Sequence, residues 1–146
     1  MNKTIEFLKL QIGKEATLSP SPLMRWLNPI LLSVEEGKMS LQYLVRHEMT
    51  NPIGILHGGT TAAIMDDSIG AAVFTYGEVY FYSTINLVVD YFGRAAEGEK
   101  IIAEAFVIKK GKQLIHGQCE IWNADKTRML AKGISNLLKT EMKKPD

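Results

Sequence analysis

The sequence predicts an α+β fold in which an antiparallel sheet wraps around one long central helix. Residues 59–76 are apolar on nearly all sides, which is typical of a buried helix. Four strand-like stretches follow this helix, and only short turns separate them. Short links favour antiparallel neighbours, because a parallel crossover needs a dozen or more residues. A sheet wrapped around the helix is the simplest arrangement that buries it.

Two segments precede the first strands. Residues 3–12 predict a short amphipathic helix, because Ile5, Leu8 and Ile12 share one helical face. Residues 19–29 contain three prolines, so we expect a rigid and irregular connection there.

A β-hairpin and a loop lie between these segments and the central helix. Residues 30–34 and 39–45 are apolar and flank the sequence EEGK at positions 35–38, a pattern typical of a hairpin. Residues 49–56 contain an Asn-Pro step and a glycine, which predicts a loop.

The strands after the central helix are predicted at residues 80–91, 101–110, 114–123 and 129–139. The breaks between them are rich in glycine, asparagine and charged residues. Residues 141–146 are polar, and we expect them to fray.

The length and composition indicate one globular domain. The chain has 146 residues, of which 46% are hydrophobic and 23% are charged. We expect a core domain at residues 28–140, preceded by the helix and irregular segment of residues 1–27. The formal net charge is +1, which argues against a nucleic-acid-binding protein that relies on bulk charge.

Cysteine content and hydropathy exclude several further classes. Cys119 is the only cysteine, so it forms no internal disulfide, and we expect it to be buried and inert. No Cys/His spacing resembles a zinc site, and no apolar run approaches the roughly 20 residues that span a bilayer. The N-terminus lacks a signal-peptide core, so we expect a cytoplasmic protein without a membrane partner.

The segment NPIGILHGGTTAAIMDD, residues 51–67, contains the most informative functional pattern. Its step His57-Gly58-Gly59 opens the central helix. The first turn of a helix leaves backbone N–H groups without intrahelical acceptors, at the positive end of the helix dipole. Such N–H groups can bind a carbonyl oxygen as it becomes an oxyanion. Asp66 follows nine positions after His57 and is a candidate nucleophile or general base.

These residues also have ordinary structural explanations. Glycine is the default residue of a tight turn, so Gly58 and Gly59 need not bind a ligand. The alternative for Asp66 is an acid on a solvated helix face, which the apolar residues around it disfavour. Asp67 points roughly 100° away from Asp66, so we expect no catalytic role for it.

Further patterns lie within this segment and after it. They are the loop of residues 51–54, the strand residues STINL at 83–87 with Asp90-Tyr91 behind them, and the turn RAAEGE at 94–99. Together with the His-Gly-Gly step and Asp66, they resemble the hotdog-fold thioesterases of the PaaI type, relatives of the 4-hydroxybenzoyl-CoA thioesterases. The resemblance covers roughly residues 28–139. Ala95 departs from it, because the family has a proline at that place of the turn.

The resemblance implies a hotdog fold, a homodimer and a site shared by two chains. Gly59 would supply the N–H that polarises a thioester carbonyl, and Asp66 of the partner subunit would attack the carbonyl or activate water. Asn51 would orient the water or substrate, and Thr84 would stand beside the acid. Asp66 is about two and a half turns into the helix, well away from Gly59 of its own chain, as a two-chain site requires. Two dimers would form a homotetramer.

The remaining candidates concern substrate binding. The resemblance implies that His57 and Gly58 shape the binding loop, although a general-base role for His57 is an alternative. Coenzyme A carries phosphates, which makes the basic residues Arg94, Lys110 and Lys112 candidates for binding it. A solvated hairpin explains the two lysines equally well. The aromatic residues between positions 76 and 82 either line an acyl pocket or fill the core.

The resemblance implies an acyl-CoA thioesterase that hydrolyses an acyl- or aryl-CoA to the free acid and coenzyme A. It implies no metal and no cofactor, because coenzyme A is part of the substrate. Two other functions remain alternatives: a hotdog dehydratase or hydratase, which pairs a histidine with an acid, and a non-catalytic module that binds acyl-CoA. The sequence leaves open the acyl group, and whether the thioester is carried by coenzyme A or by an acyl carrier protein.

Overall fold

A six-stranded antiparallel sheet wraps around one long helix in the computed structural model, which describes residues 2–146. The helices are α1 (Lys3–Lys9), α2 (Pro22–Leu27) and α3 (Gly58–Phe74), and a 3-10 turn spans His47–Met49. The strands are β1 (Ile30–Glu35), β2 (Lys38–Leu44), β3 (Tyr80–Tyr91), β4 (Lys100–Lys110), β5 (Leu114–Asn123) and β6 (Met129–Lys143). Their order in the sheet is β1-β2-β4-β5-β6-β3. The predicted α+β arrangement is confirmed.

The central helix α3 lies very close to the sheet because two strands carry glycine beneath it. A Cβ atom on Gly117 of β5 would lie 2.8 Å from Cγ2 of Ile69, and one on Gly133 of β6 would lie 2.6 Å from Sδ of Met65. Ile69 and Met65 are almost completely buried. The apolar character of residues 59–76 therefore reflects burial against the sheet, as predicted.

The N-terminal segment packs beside β1. Helix α1 is shorter than predicted and ends at Lys9, with turns at residues 10–13. The N–H of Gly13 donates to the carbonyl of Leu31 at 2.7 Å, and Glu15 forms a bridge with Ile30. These contacts cover one edge of the sheet. They also direct the chain away from helix α1. Ile5 and Leu8 of this helix pack against the core, whereas Ile12 is 44% exposed.

The prediction of an irregular connection at residues 19–29 was wrong, because helix α2 lies inside it. The Ser21 hydroxyl caps this helix by accepting the N–H of Met24 at 3.1 Å. Pro22 stands in the first turn, where a missing N–H costs no hydrogen bond. Asn28 ends the helix in the left-handed conformation, with φ 52°. The prolines delimit the helix and do not prevent it.

The prediction of a frayed tail was wrong for residues 141–143. Strand β6 continues to Lys143, which pairs with Tyr80, and the N–H of Lys144 donates to the carbonyl of Val79 at 2.8 Å. The long partner strand β3 explains the difference, since it offers backbone groups along its whole length. The other predicted strands and the central helix are confirmed within about two residues at each end.

The second edge of the sheet, β3, is long and open. It has 12 residues and pairs only with β6. Ile85, Val88 and Tyr91 are 56%, 55% and 52% exposed on it. Of the helices within residues 2–146, none has the length and apolar character needed to cross a membrane.

Candidate active site

The loop of residues 50–57 leads into the N-terminus of α3, where His57 is the capping residue. Its Nδ1 accepts the N–H of Gly59 at 2.9 Å, so the ring carries its proton on Nε2. The N–H groups of Gly58 and Thr60 have no acceptor among residues 2–146. The predicted oxyanion donor, Gly59, is therefore occupied by the imidazole, and a bound carbonyl would have to displace the ring.

Asn51 shapes the loop with its side-chain oxygen. Oδ1 accepts the N–H groups of Ile53 and Ile55 at 3.1 and 3.3 Å, as in an Asx turn. The Nδ2 group makes no hydrogen bond within residues 2–146, so it is available to a ligand. The Tyr91 hydroxyl also fixes this region by donating to the carbonyl of Gly58 at 2.5 Å. Sequence reasoning had not identified Tyr91 as part of the site.

Asp66 and Thr84 meet where α3 faces β3. The Thr84 hydroxyl donates to Oδ1 of Asp66 at 2.8 Å, and both residues retain contact with solvent. Asp66 lies seven residues beyond Gly59, which corresponds to about 10 Å along the helix axis. Within one chain, the acid and the helix N-terminus therefore do not act on the same atom.

The neighbouring acid, Asp67, is held by the N-terminal segment. The Ser21 hydroxyl donates to its Oδ1 at 2.9 Å. Its Oδ2 is buried and has no hydrogen-bond partner within residues 2–146. Burial raises the pKa of Asp67, because the charged form loses hydration. Sequence reasoning missed Ser21, although a serine before a proline is a typical helix-capping pattern.

Asp66 and Thr84 line an apolar cavity of about 420 Å³. The N-terminal segment, the second half of α3 and the facing strands enclose it. Its apolar lining includes Leu8, Met24, Leu41, Val73, Phe74 and Leu137. Pockets of roughly 300–1,000 Å³ are typical of small-molecule sites. The mostly apolar lining suits an acyl group.

The aromatic residues after α3 divide into two groups. Phe81 and Tyr82 line the cavity, as one of the two sequence-based alternatives expected. Tyr76 and Tyr80 lie outside it, with the ammonium groups of Lys110 and Lys139 at 5.0 and 5.4 Å from their ring centres.

The three basic candidates do not form one site within a chain. Arg94 is exposed beside the N-terminus of α3, since the N–H of Leu56 donates to the carbonyl of the adjacent Ala95. Lys110 lies near the other end of this helix, about 25 Å away. Its ammonium is 2.6 Å from Oε1 of Glu78, which raises the pKa of Lys110. Lys112 is exposed in the turn between β4 and β5. No group of three or more His, Cys, Asp or Glu in the described chain is placed to hold a metal ion.

Comparison with known proteins identifies consistent similarities. The model of the thioesterase superfamily matches residues 53–130. Human acyl-coenzyme A thioesterase 13 is 31% identical over 103 residues, covering 70% of this chain and 74% of the relative. The crystal structure of zebrafish thioesterase superfamily member 2 has a TM-score of 0.74 at 25% identity, covering 85% of this chain and 91% of that one. The E. coli PaaI protein from the phenylacetic acid degradation operon has a TM-score of 0.81 at 18% identity and 97% coverage of both chains, which is a similarity of fold.

Proposed function

This chain belongs to the thioesterase superfamily and has the hotdog fold, and we propose that it hydrolyses acyl-CoA thioesters to the free acid and coenzyme A. The observation that carries the proposal is the carboxylate of Asp66, which accepts a hydrogen bond and lines an apolar cavity. The acyl group fits the cavity by its chemistry, and its carbonyl carbon then lies beside the acid. The thioesterase activity of the relatives supports the same reaction.

The proposed reaction is an acyl transfer to water. A carboxylate either attacks the carbonyl carbon or takes a proton from the water that attacks. The C–S bond breaks, coenzyme A leaves as the thiolate and takes up a proton, and the acyl group leaves as the acid. We propose that the Thr84 hydroxyl orients Asp66 through their 2.8 Å hydrogen bond. The reaction consumes only water and changes no oxidation state, so no redox cofactor takes part in the proposed mechanism.

We propose that each site is built from two chains. Asp66 lies about 10 Å along the axis from Gly59 of its own helix, so we propose that the N–H donors to the substrate's oxyanion come from the α3 N-terminus of the second chain. The N–H groups of Gly58 and Thr60 are free of internal acceptors, and the N–H of Gly59 becomes free when His57 rotates. Asn51 Nδ2 beside them is a further donor for water or substrate. Arg94, exposed near the same helix end, would then lie close to the coenzyme A of the shared site, whereas Lys110 and Lys112 are placed less well for it.

The open edge strand β3 supports a homodimer. A long apolar edge invites pairing with another chain, and natural proteins usually cover it. The other edge of the sheet is already covered at residues 13–15. Antiparallel pairing of β3 with a second copy of itself would bury Ile85 and Val88 and produce a twofold-symmetric dimer. We further propose that two such dimers form a tetramer and that the protein is cytoplasmic.

The first test compares two adjacent carboxylates. Thiol release from a panel of acyl- and aryl-CoAs is measured for the native chain, Asp66→Asn and the control Asp67→Asn. We expect Asp66→Asn to lower kcat by about 10²–10⁴-fold, the usual contribution of a catalytic base. Asp67→Asn should remain within a few-fold of the native chain, because the Asp67 carboxylate is held by the Ser21 hydroxyl and an amide can keep that hydrogen bond. Equal losses in both variants would contradict the assignment of Asp66.

The same panel separates the alternatives. Hydration of an enoyl-CoA, followed by ultraviolet absorbance, would instead indicate a hydratase. That reaction needs a histidine paired with an acid, which in a site shared by two chains would be His57 of one chain and Asp66 of the other. Tight binding of acyl-CoA without turnover of any thioester would indicate a binding module.

Complementation tests the two-chain site. Gly59→Pro removes the backbone N–H donor, and proline is tolerated in the first turn of a helix. This variant should have a kcat about 10²–10³-fold lower than the native chain. Co-expression of Gly59→Pro with Asp66→Asn in equal amounts places one intact site in each mixed dimer. Random pairing makes half of the dimers mixed, so about one quarter of native activity should return. No recovery from mixed dimers would refute a shared site.

A further inference from the structure

One face of α3 forms a wall of the cavity. Asp66, Gly70 and Phe74 are spaced by four residues and all line the cavity. Gly70 therefore lies about 6 Å, and Phe74 about 12 Å, beyond Asp66 along the helix axis. A substrate whose carbonyl lies at Asp66 would extend its acyl group first past Gly70 and then towards Phe74.

Gly70 contributes open space and no packing. A Cβ atom on Gly70 would meet nothing within 4 Å. Gly117 and Gly133 differ, because helix α3 could not approach the sheet if they carried a Cβ atom. Glycine weakens the interior of a helix relative to alanine. Gly70 leaves the space beside it open to a ligand.

Phe74 and Lys144 both line the cavity and contact each other. The Lys144 ammonium lies 4.6 Å from the centre of the Phe74 ring, so a chain that passed the ring would meet a cation. The cover of the cavity is anchored, since Ser21 in the N-terminal segment donates to Asp67 on α3. Phe74 and Lys144 therefore stand in the way of a chain that extends along α3 beyond Gly70.

We propose that Gly70 and Phe74 set the length of the acyl group, an inference that rests on the proposed thioester hydrolysis. Gly70 leaves space for the acyl chain to pass, and Phe74 blocks its further extension. An extended alkyl chain advances about 1.25 Å per carbon, because its C–C bonds of about 1.5 Å alternate in direction. The roughly 12 Å between Asp66 and Phe74 accommodates about eight to ten carbons. The substrate class is thus a straight-chain acyl thioester of medium length.

The test is a chain-length profile of kcat/KM for saturated acyl-CoAs from two to sixteen carbons. We expect the native chain to be most active at about eight to ten carbons. Gly70→Leu should lower kcat/KM at least tenfold for these substrates and less than threefold for acetyl-CoA. Gly70→Ala, whose methyl group takes up less of the same space, should have a smaller effect with the same dependence on chain length. Phe74→Ala should move the optimum to longer chains.

The outcomes separate this inference from the function on which it rests. Equal losses in Gly70→Leu at every chain length, or no loss, would overturn the length assignment while native thiol release upholds the thioesterase. If Gly70→Leu does not fold, Phe74→Ala decides, and an unchanged optimum in that variant overturns the inference. A native chain that is folded and releases no thiol at any length overturns the proposed function and this inference with it.

Discussion

Replacing Gly117 by alanine should destabilise the protein by overpacking the contact between α3 and the sheet. The new Cβ would lie 2.8 Å from Cγ2 of Ile69, whereas carbon atoms pack best at about 3.5–4.0 Å. The helix or the strand must therefore move by about 0.7–1.2 Å. Ile69 is branched at Cβ and buried, so its methyl group cannot simply rotate away.

Overpacking of this kind typically costs about 1–3 kcal/mol. The loss of chain entropy in the unfolded state offsets about 0.4–1 kcal/mol, because alanine is less flexible than glycine. We therefore expect the free energy of unfolding to fall by about 1–2 kcal/mol. For a chain of this size, the Tm should fall by roughly 2–8 °C.

The assay is thermal and urea unfolding at one fixed protein concentration, because the Tm of an oligomer depends on concentration. Gly70→Ala is the control, since its new methyl group enters open space. It should leave the stability unchanged or raise it by up to about 1 kcal/mol. A Gly117→Ala variant as stable as the native chain, with an unchanged m value, would refute the packing argument.

Three further outcomes follow from buried polar groups. Burial raises the pKa of Asp67 in the folded state. The contribution of this residue to stability is therefore complete at pH values below its pKa in the unfolded state, and it is lost as the pH rises through its pKa in the folded state. The stability of the native chain should therefore fall relative to Asp67→Asn as the pH rises above about 4, and parallel urea-unfolding curves would contradict this. Ser21→Ala should cost about 1 kcal/mol or more, because it removes the cap of α2 and the contact with Asp67; unfolding at neutral pH measures it. Burial raises the pKa of the Cys119 thiol and shields it, so a thiol reagent should label this residue only after denaturation. Rapid labelling of Cys119 in the folded protein would show that the thiol is accessible and would contradict this prediction.

Local patterns in the sequence predicted the elements that depend on neighbouring residues. The apolar run of residues 59–76 and the turns between the strands define α3 and the sheet, because period and turn chemistry are properties of short segments. The predictions were wrong where a local sequence pattern is compatible with two different structures. Three prolines in residues 19–29 indicated an irregular chain, yet Ser21 and Pro22 begin a helix. The polar tail is ordered as far as Lys143 because a distant strand pairs with it.

The candidate site was only partly accessible to sequence reasoning. The spacing from His57 to Asp66, together with the resemblance, identified the acid and the helix N-terminus. The occupation of the Gly59 N–H by His57 depends on a side-chain rotamer, which no pattern encodes. The contact of Ser21 with Asp67 joins residues that are 46 positions apart in the chain.

The sequence by itself determined the order of helices and strands, the burial of α3 and the position of the candidate acid, since each follows from periodicity, turn residues or a short motif. The tertiary structure decided the cavity, the separation of Arg94 from Lys110 and the open space beside Gly70. These features arise between segments remote in the chain, and their dimensions depend on sheet register and on how closely a helix packs, which are set by the whole core at once.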